Sequence, residues 1–169
     1  MNLISEAGIV LTKRQDFEKM YTIKIRAPGD RIFTELGRFG DHDRGYFRPR
    51  FVDVRRISGK PNQEGSLIQY SVVPRFLSFN LRLEKSVNYN HLIYRVMNGF
   101  AEGGVLIFEL ETLSRGQCGL SIYVTFDFSA GKGPLGRLAQ NIFRLLFPAF
   151  VHDVIWNHSL CQMKDCIES

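Results

Sequence analysis

The feature that most narrows the fold of this chain is a series of six segments, 50–58, 66–73, 76–87, 91–98, 105–112 and 119–128, in which apolar and polar side chains alternate. A period of two belongs to a half-buried β-strand, whose successive side chains point to opposite faces. The clearest case is the last segment, with Leu120, Ile122, Val124, Phe126 and Phe128 on one face and Ser121, Tyr123, Thr125, Asp127 and Ser129 on the other. The links between segments are short and built of chain breakers: Gly59-Lys60-Pro61-Asn62 with Gly65, then Pro74, Asn88 to Asn90, Gly103-Gly104 and Arg115-Gly116. Such links join antiparallel neighbours, because parallel strands need a long crossover. A further strand precedes them at 19–26, where Tyr21, Ile23 and Ile25 alternate with Met20, Thr22 and Lys24.

A sheet of this kind has one apolar and one solvated side, and the apolar side needs a cover. The C-terminal region supplies it. From Pro134 to Ile167, apolar residues at 135, 138, 139, 142, 145, 146, 149, 156, 160, 163 and 167 fall on one stripe of a helix, with Arg137, Gln140, Arg144, His158 and Gln162 opposite. Pro148 has no N–H to donate to the carbonyl of Arg144, so a kink or interruption is expected there. Between the first strand and the rest, Ala27-Pro28-Gly29-Asp30 ends the strand. Ile32, Phe33 and Leu36 then continue at helical spacing to about Gly37 or Gly40. The segment 40–49, GDHDRGYFRP, is expected to hold a second short helix.

The predicted class is therefore α+β: a seven-stranded antiparallel sheet with a long C-terminal helix covering its apolar side, and two short helices after strand one. Its 169 residues suit a single domain, taken as 19–169 behind a leader segment at 1–18. A bent sheet and a straight rod cannot pack over their whole facing area, so a gap filled by large side chains or by a ligand follows from the geometry. Fourteen Phe, six Tyr and one Trp provide either filling or lining.

This order of elements, with the residues that mark it, resembles the helix-grip fold of the START-like superfamily, also called Bet v1-like or SRPBCC. Its polyketide cyclase, dehydrase and lipid-transport branch is the nearest in pattern. The resemblance runs over roughly residues 19 to 167. Its most specific local match is Ala27-Pro28 followed by Ile32-Phe33 and Leu36, similar to the start of helix one in that branch. The next is Gly59 through Gly65-Ser66 into Ile68 and Tyr70, similar to the glycine-bounded hairpin between strands two and three. Both are fold markers and neither is catalytic. The resemblance implies a helix-grip fold, a seven-stranded curved antiparallel sheet wrapped around the long C-terminal helix, with an apolar cavity between them.

Carried onto this chain, that cavity is walled by Tyr70, Phe79, Leu81, Tyr94, Phe108, Ile122 and Phe126 from the sheet and by Ile142, Ala149, Asp153 and Trp156 from the helix. Tyr70 and Tyr94 each turn a hydroxyl inward or outward according to a register in which one residue of slip reverses every direction. Asp153 is the most informative polar position, because it lies 18 residues, five helical turns, after Leu135 and so at the centre of the stripe. A carboxylate there anchors a ligand or moves a proton, with His152 or Asn157 beside it. Otherwise a re-phased helix turns it to water, or an Arg or Tyr of the sheet satisfies it.

The functional expectation is binding, extending to transport, of a hydrophobic or amphipathic small molecule in that cavity. The alternative is a polyketide cyclase- or aromatase-like enzyme using the same space. No cofactor is implied. Adjacent Asp41-His42-Asp43 lack the spacing of a closed metal site, and His152 and His158 face different ways on a helix, so no metal is expected. A net charge of +5 favours acidic partners, yet the cations are scattered, so nucleic acid is not expected. Cys118, Cys161 and Cys166 are odd in number and form no CxxC pair, which suits a reducing, cytoplasmic setting. No apolar stretch is long enough to span a membrane, which leaves transient membrane contact as the only kind expected.

Overall fold

The computed structural model describes residues 17–49, 51–72, 77–99, 101–126 and 149–169, the side chains of Tyr46, Leu77, Phe126, Ala149, Phe150 and Val151 excepted. In chain order the elements are β1 (Phe17–Ile25), α1 (Gly29–Gly37), β2 (Val52–Ser58), β3 (Leu67–Val72), β4 (Leu77–Val87), β5 (His91–Val96), β6 (Val105–Ser114), β7 (Gln117–Phe126) and α2 (Ala149–Glu168). The seven strands form one antiparallel sheet in the order β1-β7-β6-β5-β4-β3-β2. From β2 to β7 each strand therefore lies beside its neighbour in sequence, as the short links require, and β1 closes on β7.

The sheet curls into a half-barrel with α2 as its C-terminal helix, the α+β helix-grip arrangement. Register shifts between Arg56 and Ser58, Leu83 and Lys85, and Thr112 and Ser114 interrupt β2, β4 and β6. Bulges of this kind bend the strand that carries them and increase its twist, which is how a flat ladder becomes a curved one. The glycines of the β2–β3 connection have a steric reason. Gly59 has φ +81°, and a Cβ there would stand 2.5 Å from the Cβ of Ser66. Only glycine allows that approach.

Pro28 caps α1 with φ −69°, its carbonyl accepting from Ile32 N at 3.3 Å, and Ile32, Phe33 and Leu36 are buried as their spacing predicted. The second short helix after strand one is not formed. Its place is taken by a single 3-10 turn, Gly45–Phe47. The segment between Gly45 and Pro49 is too short for the cooperative gain that offsets helix nucleation.

One expectation about the sheet also needs correction. The side facing away from α2 is not solvated throughout, because Ile93, Val105, Ile107 and Tyr123 form a second, separate buried cluster there. Ile93 pairs with Ile107 and Ile107 with Tyr123, so the three lie in one row across β5, β6 and β7. The run Val105 to Phe108 has no alternation at all, which is the pattern of a strand buried on both faces.

The helix α2 buries Ile155, Trp156, Leu160, Met163 and Ile167 and leaves His158 and Gln162 exposed, as the stripe required. It runs alongside β1 in the same direction. Asp153 meets Lys19, Lys164 Nζ donates to the carbonyl of Lys24 at 2.8 Å, and Arg26 N donates to Glu168 Oε1 at 2.7 Å. Eleven residues of helix and five of strand each span roughly 16 Å, so the two rows of partners stay in step along the seam. Residues 127–148, with the expected first half of the helix and the kink at Pro148, lie outside the described residues.

Candidate functional site

The inner face of the sheet and the buried face of α2 share one continuous apolar cluster. Of the cavity-wall residues expected from sequence, Tyr70, Leu81, Tyr94, Phe108, Ile122 and Trp156 are buried in it, and Phe79 packs against it partly exposed. Both tyrosines of the strands therefore face inward. Ile142, and the side chains of Phe126 and Ala149, lie outside the described residues.

Two zones of this interior differ. Near Trp156 it is filled by the chain's own rings. Phe108 stands edge-on to Trp156 at 6.2 Å, to Tyr94 at 6.0 Å and to Phe39 at 5.5 Å, and Phe39 meets Phe47 at 4.9 Å. Such tilted contacts set the positive edge of one ring against the negative face of the next. Phe39 and Phe47 were not anticipated, because the 38–49 connection reads as turn-rich and polar. The other zone lies at the β2–β4 end, where Tyr70 stacks on Phe79 at 5.1 Å and both Phe51 and Phe79 are only partly buried.

The Tyr94 hydroxyl is buried and has no hydrogen-bond partner among the described residues. Burial pushes both the Tyr70 and the Tyr94 phenol above the usual tyrosine range, so each stays protonated.

A polar group sits at the seam between β1 and the start of described α2. The Asp153 carboxylate accepts from Lys19 Nζ at 2.7 and 2.9 Å and from the Tyr21 hydroxyl at 2.8 Å. The seam residue is thus satisfied by Lys19 and Tyr21 of the sheet. Asp153 lies at the margin of the buried stripe rather than at its centre, its side chain 38% exposed. Asn157 points to solvent, while His152 packs its ring on Phe17 at 4.6 Å. Lys19 was missed, although the alternation of β1 places it on the face of Tyr21. Arg38 and Arg56 take up Asp41, and Arg38 also pairs with Asp43. Among the described residues no three His, Cys, Asp or Glu side chains gather as a metal site.

The seam gives a pH dependence with a definite sign. Burial pushes the His152 imidazole down from 6.5 to about 4, Asp153 opposing and Lys19 reinforcing the shift. Between those values the unfolded chain holds a proton that the folded chain does not, so stability falls as pH drops from 6.5 towards 4. Asp153 acts lower. Hydrogen bonds from Lys19 and Tyr21 hold its carboxyl below the ordinary 3.8, so its contribution is full above that value and is lost only beneath it. That contribution is about 0–1 kcal/mol for so exposed a pair. Thermal melts should therefore fall between pH 6.5 and 4 in the wild type and flatten in His152→Phe, which keeps a ring on Phe17. Equal slopes in the two proteins would remove His152 as the cause.

Neither a known family's sequence profile nor a curated protein matches the chain. Solved structures do. The KanY protein, determined in solution, is 12% identical with a TM-score of 0.68, the match covering 93% of this chain and all (100%) of that one. Protein CV1439 from Chromobacterium violaceum is 13% identical with a TM-score of 0.62, covering 90% and 97%. Ara h 8.0201 is 13% identical with a TM-score of 0.53, covering 87% and 97%. At such identities the likeness establishes the fold, and the helix-grip arrangement is the one they share with this chain. No described helix is long and apolar enough to cross a membrane.

Proposed function

We propose that the protein binds a hydrophobic or amphipathic small molecule between the sheet and the C-terminal helix. The observation that carries this reading is the unequal filling of the interior. Rings close it beside Trp156, whereas at the β2–β4 end Phe51 and Phe79 remain partly exposed next to buried Tyr70 and Leu81. Partly exposed aromatics leading to a deeper apolar wall with few polar groups are the usual make-up of a small-molecule site. The START-like resemblance supports the same reading through its lipid-transfer members, and such a carrier needs only the cavity and no reacting group.

The enzyme reading rests on a different observation. Lys19, Tyr21, His152 and Asp153 converge at the β1 seam, a group of polar side chains of the kind that moves protons, although burial makes the neutral His152 a weak base. A cyclase of this kind would fold a poly-β-keto chain against the apolar wall and move protons at that seam. Binding is favoured over catalysis because Asp153 already accepts from both Lys19 and Tyr21.

Native mass spectrometry of the purified protein, with titration of a neutral apolar fluorescent probe, tests the binding reading. Copurified mass or saturable uptake is expected; absence of both overturns it. Conversion of a poly-β-keto substrate that is lost in His152→Ala would shift the assignment to the enzyme.

A further inference from the structure

From the placement of Tyr94 we infer that the ligand is a neutral oxygen-bearing molecule, a ketone or alcohol on a hydrocarbon body rather than a carboxylate, whose oxygen accepts from the Tyr94 hydroxyl at the deep end of the site. This inference rests on the binding function proposed above and adds the chemical class.

Tyr94 lies on β5, the central strand, with its side chain 0% exposed and its hydroxyl unpartnered among the described residues. A buried donor left unpaired keeps its full desolvation cost, so such a group in a native interior calls for an acceptor. The acceptor is neutral because Arg56, the cation whose charge reaches Tyr94, is spent, as are Arg48 and Lys19 elsewhere in the fold. Arg56 donates to Asp41, to the carbonyls of Gly37 and Phe39, and more weakly to that of Lys60. Arg48 Nε donates to the carbonyl of Val54, and Lys19 is held by Asp153. A carboxylate brought to Tyr94 would lose its hydration without gaining a counter-charge, whereas a ketone oxygen needs only the one bond the phenol offers.

The spacing of the site agrees. Tyr70 pairs with Phe79 and Tyr94 with Leu83, so the open end and the Tyr94 backbone are separated by four residues along β4, roughly 13 Å of strand. That is the reach of a medium-length alkyl chain. The rings that must give way are Phe39 and Phe47, which come from the irregular 38–49 connection rather than from the sheet.

The test is displacement of the neutral reporter phenylnaphthylamine by methyl nonyl ketone and by undecanoate at neutral pH, in the wild type and in Tyr94→Phe. The wild type is expected to take up the reporter and release it to the ketone at concentrations where undecanoate has no effect. Tyr94→Phe should lower the affinity for the ketone, taken relative to that for the reporter in the same variant, roughly five- to tenfold, the value of one hydrogen bond. Folding does not confuse the result, because loss of an unpartnered hydroxyl leaves the melting temperature unchanged or raises it. A lowered melting temperature would show that the hydroxyl is already bonded and would overturn the inference. Equal relative ketone affinity in the two proteins, or undecanoate binding as tightly as the ketone, would overturn it too while leaving the binding function standing. No reporter uptake at all would remove the binding function itself.

Discussion

Replacing Arg56 with methionine is expected to lower the melting temperature by roughly ten degrees, while the same change at the adjacent Arg55 moves it little. The Arg56 side chain is 10% exposed and bonds the last carbonyl of α1, Gly37 O at 2.6 Å, with Phe39 O at 2.9 Å and the Asp41 carboxylate at 3.0 Å. Its own N–H donates to Gly40 O at 2.7 Å. It thereby closes the C-terminal end of α1, where carbonyls lack partners within the helix, and ties the 37–41 connection to the edge strand β2. Methionine fills much of the volume but leaves the Gly37 and Phe39 carbonyls without this donor and the half-buried Asp41 carboxylate with only the longer Arg38 contact among the described residues. Removing one partner of such a buried set costs about 3–5 kcal/mol. For a domain of this size each kcal/mol corresponds to about 2–4 °C. Lysine should not rescue, since one ammonium cannot reproduce the planar fork. Arg55 is exposed and bonds Gln69 across the outer face, so its change should stay within about 0.5 kcal/mol. Melting of Arg56→Met within two or three degrees of the wild type would show that the carbonyls find other donors.

Trp156→Ala is expected to cost about 3–5 kcal/mol, the range for deleting a buried aromatic side chain. Trp156 is 5% exposed and is the ring through which α2 meets Phe108, and through it Phe39, Phe47 and Tyr94. The neighbouring Asn157 points to solvent, and Asn157→Ala should be nearly neutral. Urea unfolding of the two variants against the wild type gives the measurement. A loss below about 1 kcal/mol for Trp156→Ala would mean that the helix is not held by this contact. The same variant should take up the apolar reporter at least as well as the wild type, because it removes filling from the closed zone.

Alternation and turn residues made the seven strands and the order of β2 to β7 readable, since these follow one another through links too short for any other arrangement, whereas the place of β1 beside β7 was not. The Ala27-Pro28 start of α1, and Gly59 with Ser66, were also legible, because each has a local steric cause. Less visible were the effects of departures from regular period. The register shifts that curl the sheet depend on how β2, β4 and β6 meet their partners, and nothing in Leu83-Glu84-Lys85 announces one. Asp153 shows the limit on the helix, where counting turns across Pro148 placed it one step too far inside. The partners that satisfy it stand 134 and 132 residues away.

Local chemistry in the chain was enough to specify strands, breakers and an amphipathic cover, because each follows from neighbours within a few residues, and the helix-grip class came from the resemblance of their order to a known one. Folding in three dimensions alone sorted Arg55 from Arg56, one on the solvated face and one closing α1, although the two are adjacent and identical in type. It likewise turned Tyr94 inward with its hydroxyl unpartnered among the described residues and gave Asp153 to Lys19 and Tyr21. Hydrogen bonds and burial join residues far apart in the chain, so their outcome is set by packing geometry that no local pattern encodes.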